Sequence, residues 1–381
     1  MKIVALLSLA LVLPVAAYAQ PEPALQLAGP PVSVFEGGWP ACDAHDIPDA
    51  PARAIRLADG TVQLYASDQT NRINAGPDLL HVRHGCTVVY RGAWNDDPAA
   101  FDDRTWIATP WTADGQTIWA VLHNEFHGQL RKALCPTGRY MDCWYNALTL
   151  ARSNDGGRTF HREPGAALVA TLPYRYDEVG IGHHGYFNPT NIVTHDGANY
   201  MMLFATHAAA QREGNCLLRT GSVPIANAWR AWDGAGFGVA FEDPYTARLP
   251  PEQHVCTPIG VGALRWPVTS LVRHEASGLF IATMQDALRQ GGVFYSTSAD
   301  LLHWSAPIRL LSAPGLRSWT CSDPDPIAYP ALLDPASADR NFQTVGATAQ
   351  LYATRFETVD CRVTAKRTLV RWPVQLSRSA G

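Results

Sequence analysis

Five times along the chain a short apolar segment runs into a turn, a second apolar segment follows, and a polar stretch ends the unit. The segments lie at 52–57 and 61–66 around Ala58-Asp59-Gly60, at 105–109 and 117–122 around Ala113-Asp114-Gly115, and at 190–194 and 200–206 around His195-Asp196-Gly197. They recur at 269–273 and 279–284 around residues 275–278, and at 329–333 and 350–354 with a longer connection. Runs this short, punctuated by Gly, Asp, Asn and Pro, read as strands joined by turns, and long 3.6-residue periodicity is scarce. Such repeats confine the chain to folds in which each unit buries its apolar face against the next.

Further apolar segments at 148–153, 217–220, 293–297 and 368–372 follow most of the polar stretches. Four strands per unit predict an all-β fold, a single five-bladed β-propeller with four-stranded antiparallel blades. A two-sheet sandwich is the alternative. The expected organisation is a secretory signal peptide over 1–19 and one propeller domain over 20–381.

Met1-Lys2-Ile3, an apolar run to Val15 and Ala17-Tyr18-Ala19 carry the charged start, short apolar centre and small-residue cleavage site of an export signal. The run falls short of the ~20 residues of a membrane span. A secreted or periplasmic monomer is expected. All eight cysteines lie beyond that signal, and an even number in an exported chain favours disulfides, with Cys135 and Cys143 the easiest local pair. A net charge of −4 without clustered Lys or Arg argues against nucleic-acid binding. Twelve tryptophans and thirteen tyrosines favour strands and supply faces for stacking on sugar rings.

In a propeller, the start of each inner strand and the loop after the second strand share one end of the central channel. That end should gather Asp49, Asp68, His123-Asn124-Glu125, His207, Asp286, Arg355 and the segment from Glu178 to Asn191. The most heavily functionalised stretch is His123-Asn124-Glu125-Phe126-His127, where an apolar strand delivers ionisable groups to one place.

Ser153-Asn154-Asp155-Gly156-Gly157-Arg158-Thr159-Phe160 fits the Asp-box pattern of sialidases and related propellers, whose role is a tight turn. Ser296–Ser305, with Asp300-Leu301 and Trp304, resembles the corresponding hairpin of five-bladed arabinanases, xylosidases and fructosidases. The resemblance implies glycoside hydrolysis by carboxylates at the starts of inner strands. Asp49 matches the first-blade base or nucleophile, but Phe187-Asn188-Pro189 and Arg265-Trp266-Pro267 bring no acid to the later positions. Glu125 therefore becomes the candidate acid, with Asp286 or Glu178 tuning it.

Candidate substrate-binding residues are Arg53, Asp68, His123, Asn124, His127, His184, Asn188, His207, Arg265, Trp266, Tyr329 and Arg355. Arginines would suit a sugar carboxylate. No cofactor is expected, although related propellers sometimes hold an axial calcium ligated largely by water. Two other readings stand beside hydrolysis: a polysaccharide lyase using His123 or His184 as base and Tyr145 or Tyr329 as acid, and a non-catalytic sugar-binding propeller.

Overall fold

The computed structural model describes residues 22–37, 42–165, 167–246, 248, 250–286 and 291–378, so the export signal expected at 1–19 lies outside the described residues. Among them the regular structure is β-sheet, with five helical turns of three residues each. Among the described residues no helix is long and apolar enough to cross a membrane.

Each repeat folds as an antiparallel hairpin. Pro48–Arg56 pairs with Val62–Ser67, Arg104–Trp111 with Ile118–His127, Val193–His195 with Ala198–Ala205, Val268–His274 with Phe280–Gln285, and Ile327–Leu333 with Thr348–Val359. In the second turn Asp114 Oδ1 accepts the Gln116 and Thr117 N–H groups while Gly115 sits at φ 76°. Only glycine takes that left-handed conformation without steric cost. A third strand joins each hairpin: Ile73–Gly76, Trp144–Ser153, Gly214–Thr220, Val293–Ser298 and Arg362–Arg378.

The hydrogen-bonded sheets do not divide into five of four strands. The second and third units merge into one eleven-stranded sheet because Trp144–Ser153 pairs in parallel with His183–Phe187. The last unit is completed from the other end of the chain, where Pro23–Leu27 and Val32–Gly37 both lie antiparallel to Arg362–Arg378.

Five apolar clusters lie between successive units and form a cycle. Ile55 and Tyr65 of the first unit share one with Ile107, Ile118 and Leu122 of the second. Val121, Tyr145 and Leu148 meet Met201, Leu203 and Leu218 of the third, and Met202 and Leu217 meet Leu271, Phe280 and Met284 of the fourth. Val272 and Ile281 pack on Leu332, Leu351 and Val370 of the last unit, whose Leu333 and Tyr352 pack back onto Ala52, Ala54 and Leu64. Burial of a Val, Leu, Ile, Phe or Met side chain contributes about 1.5–3 kcal/mol, so Leu333, Leu64 and their neighbours hold the last unit to the first by the same apolar burial that joins successive units.

The inner segments are tied around Arg53. Its guanidinium donates to the carbonyls of Pro189 at 2.9 Å and Thr269 at 2.6 Å. Thr109 Oγ1 donates to the Thr190 carbonyl at 2.7 Å, and Thr269 Oγ1 to that of Pro330 at 2.5 Å. Each of the five units thus contributes to one polar hub.

Disulfides join Cys42 to Cys86, Cys135 to Cys143, Cys216 to Cys256 and Cys321 to Cys361, which includes the expected local pair. In the 153–160 turn, Asp155 accepts hydrogen bonds from the Ser153 and Thr159 hydroxyls and the Thr159 N–H while Phe160 is buried.

Candidate active site

A cavity of about 370 Å³ opens where inner strands begin and the second strand of the second unit ends. That strand, Ile118–His127, does not stop at Leu122 as the polar residues beyond it suggest; it stays paired through His127 with Trp144–Ser153. Strand alternation then decides which side chains reach the cavity. His123, Glu125 and His127 line it. Asn124 points the other way, its Nδ2 donating to Thr105 Oγ1 at 2.9 Å, and Phe126 joins the core.

Glu125 Oε2 is 2.9 Å from His127 Nε2, and Oε1 is 3.8 Å from His123 Nε2. Burial pushes the Glu125 carboxyl up to about 7, with the His123 ring opposing and Asp49 reinforcing the shift. The same burial lowers His123 to about 4 and His127 to about 3. His123 Nε2 faces the amide nitrogen of Asn146 at 2.9 Å, which makes Nε2 the acceptor. The His127 ring lies 3.8 Å from that of Trp144, and its backbone N–H is held by the Asp103 carboxylate.

Asp49 is set differently. Its Oδ1 accepts from Arg367 Nη1 and, at 3.1 Å, from the Tyr329 hydroxyl. Burial raises its pKa, against the pull of the guanidinium and the phenol. Asp68, the third carboxylate on the wall, is raised to about 7 by burial and then by the Asp49 charge. Two residues of the lining have strained backbones, Tyr329 at φ 60° beside a register shift and Asn188 at φ 51° just before Pro189. Left-handed conformations of bulky or pre-proline residues persist where surrounding structure enforces them, and such strain gathers at functional sites.

The cavity thus brings together Asp49, Asp68, His123, Glu125, His127, Asn188 and Tyr329 from the sequence candidates. The other candidates are not among its lining residues. Arg53 lies in the hub below, and the Glu178 carboxylate accepts the Arg175 N–H at an exposed turn. Asp286 is buried in the fourth unit, whose described strands supply none of the lining. Arg265 is exposed with Nε on the Gly262 carbonyl, while Trp266 packs on Phe294. His184 Nδ1 faces the carbonyl of exposed His207, and Arg355 sits half-buried on its strand. Tyr145 is buried with its hydroxyl on Thr171.

Sequence reading missed Arg104, Trp106, Tyr140, Trp144 and Arg367, all on the wall. Arg104 was within reach, because it opens the inner strand of its unit as Asp49 and Tyr329 open theirs. Cys42, Asp46 and His84 bring potential metal ligands within 4.8 Å of one another. However, the Cys42 sulfur is bonded to Cys86, and Asp46 is paired with His84 at 2.9 Å and Arg72 at 3.7 Å. That cluster reads as a structural pin.

The chain matches no protein-family model and no curated protein. Among solved structures it is similar to a thermostable family-43 glycoside hydrolase at 10% identity, covering 91% of this chain and 98% of that one with a TM-score of 0.48. It is similar to the Cellvibrio cellulosa alpha-L-arabinanase complexed with arabinohexaose at 11% identity, over 87% and 96% of the two chains, with a TM-score of 0.47. Sucrose-6-phosphate hydrolase from Lactobacillus gasseri follows at 12% identity over 88% of this chain and 60% of that one, with a TM-score of 0.48. At such distances, activity has to rest on the chemistry of the site itself.

Proposed function

We propose that residues 20–381 form an exported five-bladed propeller that hydrolyses glycosidic bonds in an oligo- or polysaccharide, with Glu125 as general acid and Asp49 as base or nucleophile. The closed cycle of five apolar clusters supports the blade count. One observation carries the chemistry: two carboxyl groups, both raised by burial, share a cavity but differ in their partners. Glu125 has no guanidinium bonded to it and rises to about 7, whereas Asp49 is bonded to Arg367, whose charge favours the anion.

In the hydrolytic cycle Glu125 gives its proton to the glycosidic oxygen as the bond from that oxygen to the anomeric carbon breaks. A water attacks the carbon and passes its proton to Asp49; the two carboxyl groups then exchange protons with solvent to reset. If Asp49 attacks directly, water releases the sugar in a second step and returns a proton to Glu125. Asp68, whose pKa is coupled to the Asp49 charge, is the third acid of this scheme in place of Asp286 or Glu178.

The test is release of reducing ends from a broad glycan panel by wild type, Glu125→Gln and Asp49→Asn. Full activity in both variants overturns the assignment. A second reading, lyase action, is favoured by the neutral His123 ring on a wall that also carries Arg104 and Tyr329. Ultraviolet-absorbing unsaturated products from a uronate glycan would select it over hydrolysis.

A further inference from the structure

Between the strand that carries Glu125 and the next strand runs a loop whose residues 135–143 are closed by the Cys135–Cys143 disulfide. Its base is tight. Gly128 N–H donates to the Cys143 carbonyl at 3.0 Å, and a side chain at Gly128 would collide with the Tyr176 hydroxyl. Within the loop the Asp142 carboxylate accepts from Thr137 Oγ1 at 2.8 Å and from Arg139 Nε at 2.9 Å, while Met141 and Cys143 hold left-handed backbones. This construction leaves one large aromatic side chain in solvent: Tyr140 is 75% exposed, yet its ring lines the cavity. It packs edge-on to Trp144 at 5.3 Å.

We infer that Tyr140 is a platform for a second sugar ring, on the leaving-group side of the scissile bond. The inference rests on the glycan-cleaving reading and adds to it a specificity-determining residue. The side follows from the contact chain Glu125 to His127 to Trp144 to Tyr140, at 2.9, 3.8 and 5.3 Å. An acid stands beside the oxygen it protonates, so the ring bearing that oxygen lies on the acid's flank of the cavity. An exposed aromatic face there removes apolar sugar C–H surface from water, and a loop already ordered loses little entropy on binding. A platform there fits a substrate longer than one sugar.

The experiment uses the full chain with Glu125→Gln to prevent turnover, titrated by tryptophan fluorescence with arabino-, xylo-, galacto- and uronate oligosaccharides. Adding Tyr140→Ala should weaken binding of the recognised oligosaccharide roughly 5- to 20-fold, Tyr140→Trp should restore it, and the melting temperature should not move because the side chain is exposed. In the otherwise wild-type enzyme, Tyr140→Ala should raise KM for that oligosaccharide by a larger factor than KM for the matching glycosyl fluoride, since fluoride presents no leaving ring. Oligosaccharide binding that Tyr140→Ala leaves intact overturns the platform alone. Binding without cleavage by wild type overturns hydrolysis and keeps the platform. Binding of none overturns both.

Discussion

Glu125 Oε2 lies 2.9 Å from Nε2 of His127, two residues along the same strand face, and burial holds that imidazole neutral by lowering it to about 3. In the Nε2–H tautomer His127 donates to Oε2, which leaves Oε1 to carry the transferable proton. On the proposed reading the pair is an acid with an orienting group, placed side by side by strand alternation. Glu125→Gln should therefore lower kcat/KM by about 10²–10⁴-fold on substrates with poor leaving groups. The loss should shrink sharply on dinitrophenyl glycosides, which need no proton to depart. An equal loss on both substrates would exclude general-acid action.

The pH profile follows from the same carboxyl group. Glu125 is active when protonated and is raised to about 7, so kcat/KM should fall as pH rises through about 7. Asp49 is active as the anion, so a second limb should fall toward acid. Steady-state rates across pH check this, and Glu125→Gln should erase the alkaline limb while keeping any residual rate flat there.

Stability should fall over the same alkaline range. A carboxyl raised from 4.5 to about 7 binds its proton in the folded chain before the unfolded one does. Its contribution is fully present below pH 4.5 and is lost as pH rises through about 7. Glu125→Gln removes a buried charge above that point, so the variant should be more stable than wild type at pH 8 by on the order of 1–3 kcal/mol. The advantage should vanish below pH 5. Melting curves at the two pH values decide it.

The hairpins were legible because Asp-Gly turns and apolar pairs are local signals. Arg367 was not: it reaches Asp49 from 318 residues away, along a strand that the N-terminal segments cover. Nothing local to Arg367 announces that closure. Within 123–127 the polar residues look like a loop, and only the pairing partner 144–153 keeps them extended. Period two then divides the candidates, admitting His123, Glu125 and His127 and turning Asn124 inward. The fourth unit follows the repeat as well as the others do, but its described strands bring no side chain to the wall; its Arg265-Trp266 entry packs on Gly262 and Phe294.

Arg367 should matter through Asp49. Arg367→Met removes the cation and leaves the half-buried carboxylate with the Tyr329 hydroxyl. The acid limb of the rate profile should then move up by about 1–3 pH units, so the rate at pH 5 falls far more than at pH 7. Tyr329→Phe keeps the cation and should shift the limb less. An unchanged limb in Arg367→Met would show that Asp49 does not titrate in catalysis.

Arg53 poses the sharpest contrast between support and binding. Its guanidinium is buried, lowered to about 9 by desolvation, and donates to the carbonyls of Ala52, Pro189 and Thr269. Among the described residues no carboxylate bonds to it. Arg53→Met leaves buried carbonyls of three units without a donor, at about 1–3 kcal/mol for each that water cannot reach. Part of that cost is offset because a buried cation also disappears. The expected result is a loss of about 2–5 kcal/mol in chemical denaturation, with KM unchanged for the molecules that remain folded. A substrate-binding arginine would behave in reverse, raising KM and leaving the denaturation midpoint where it was.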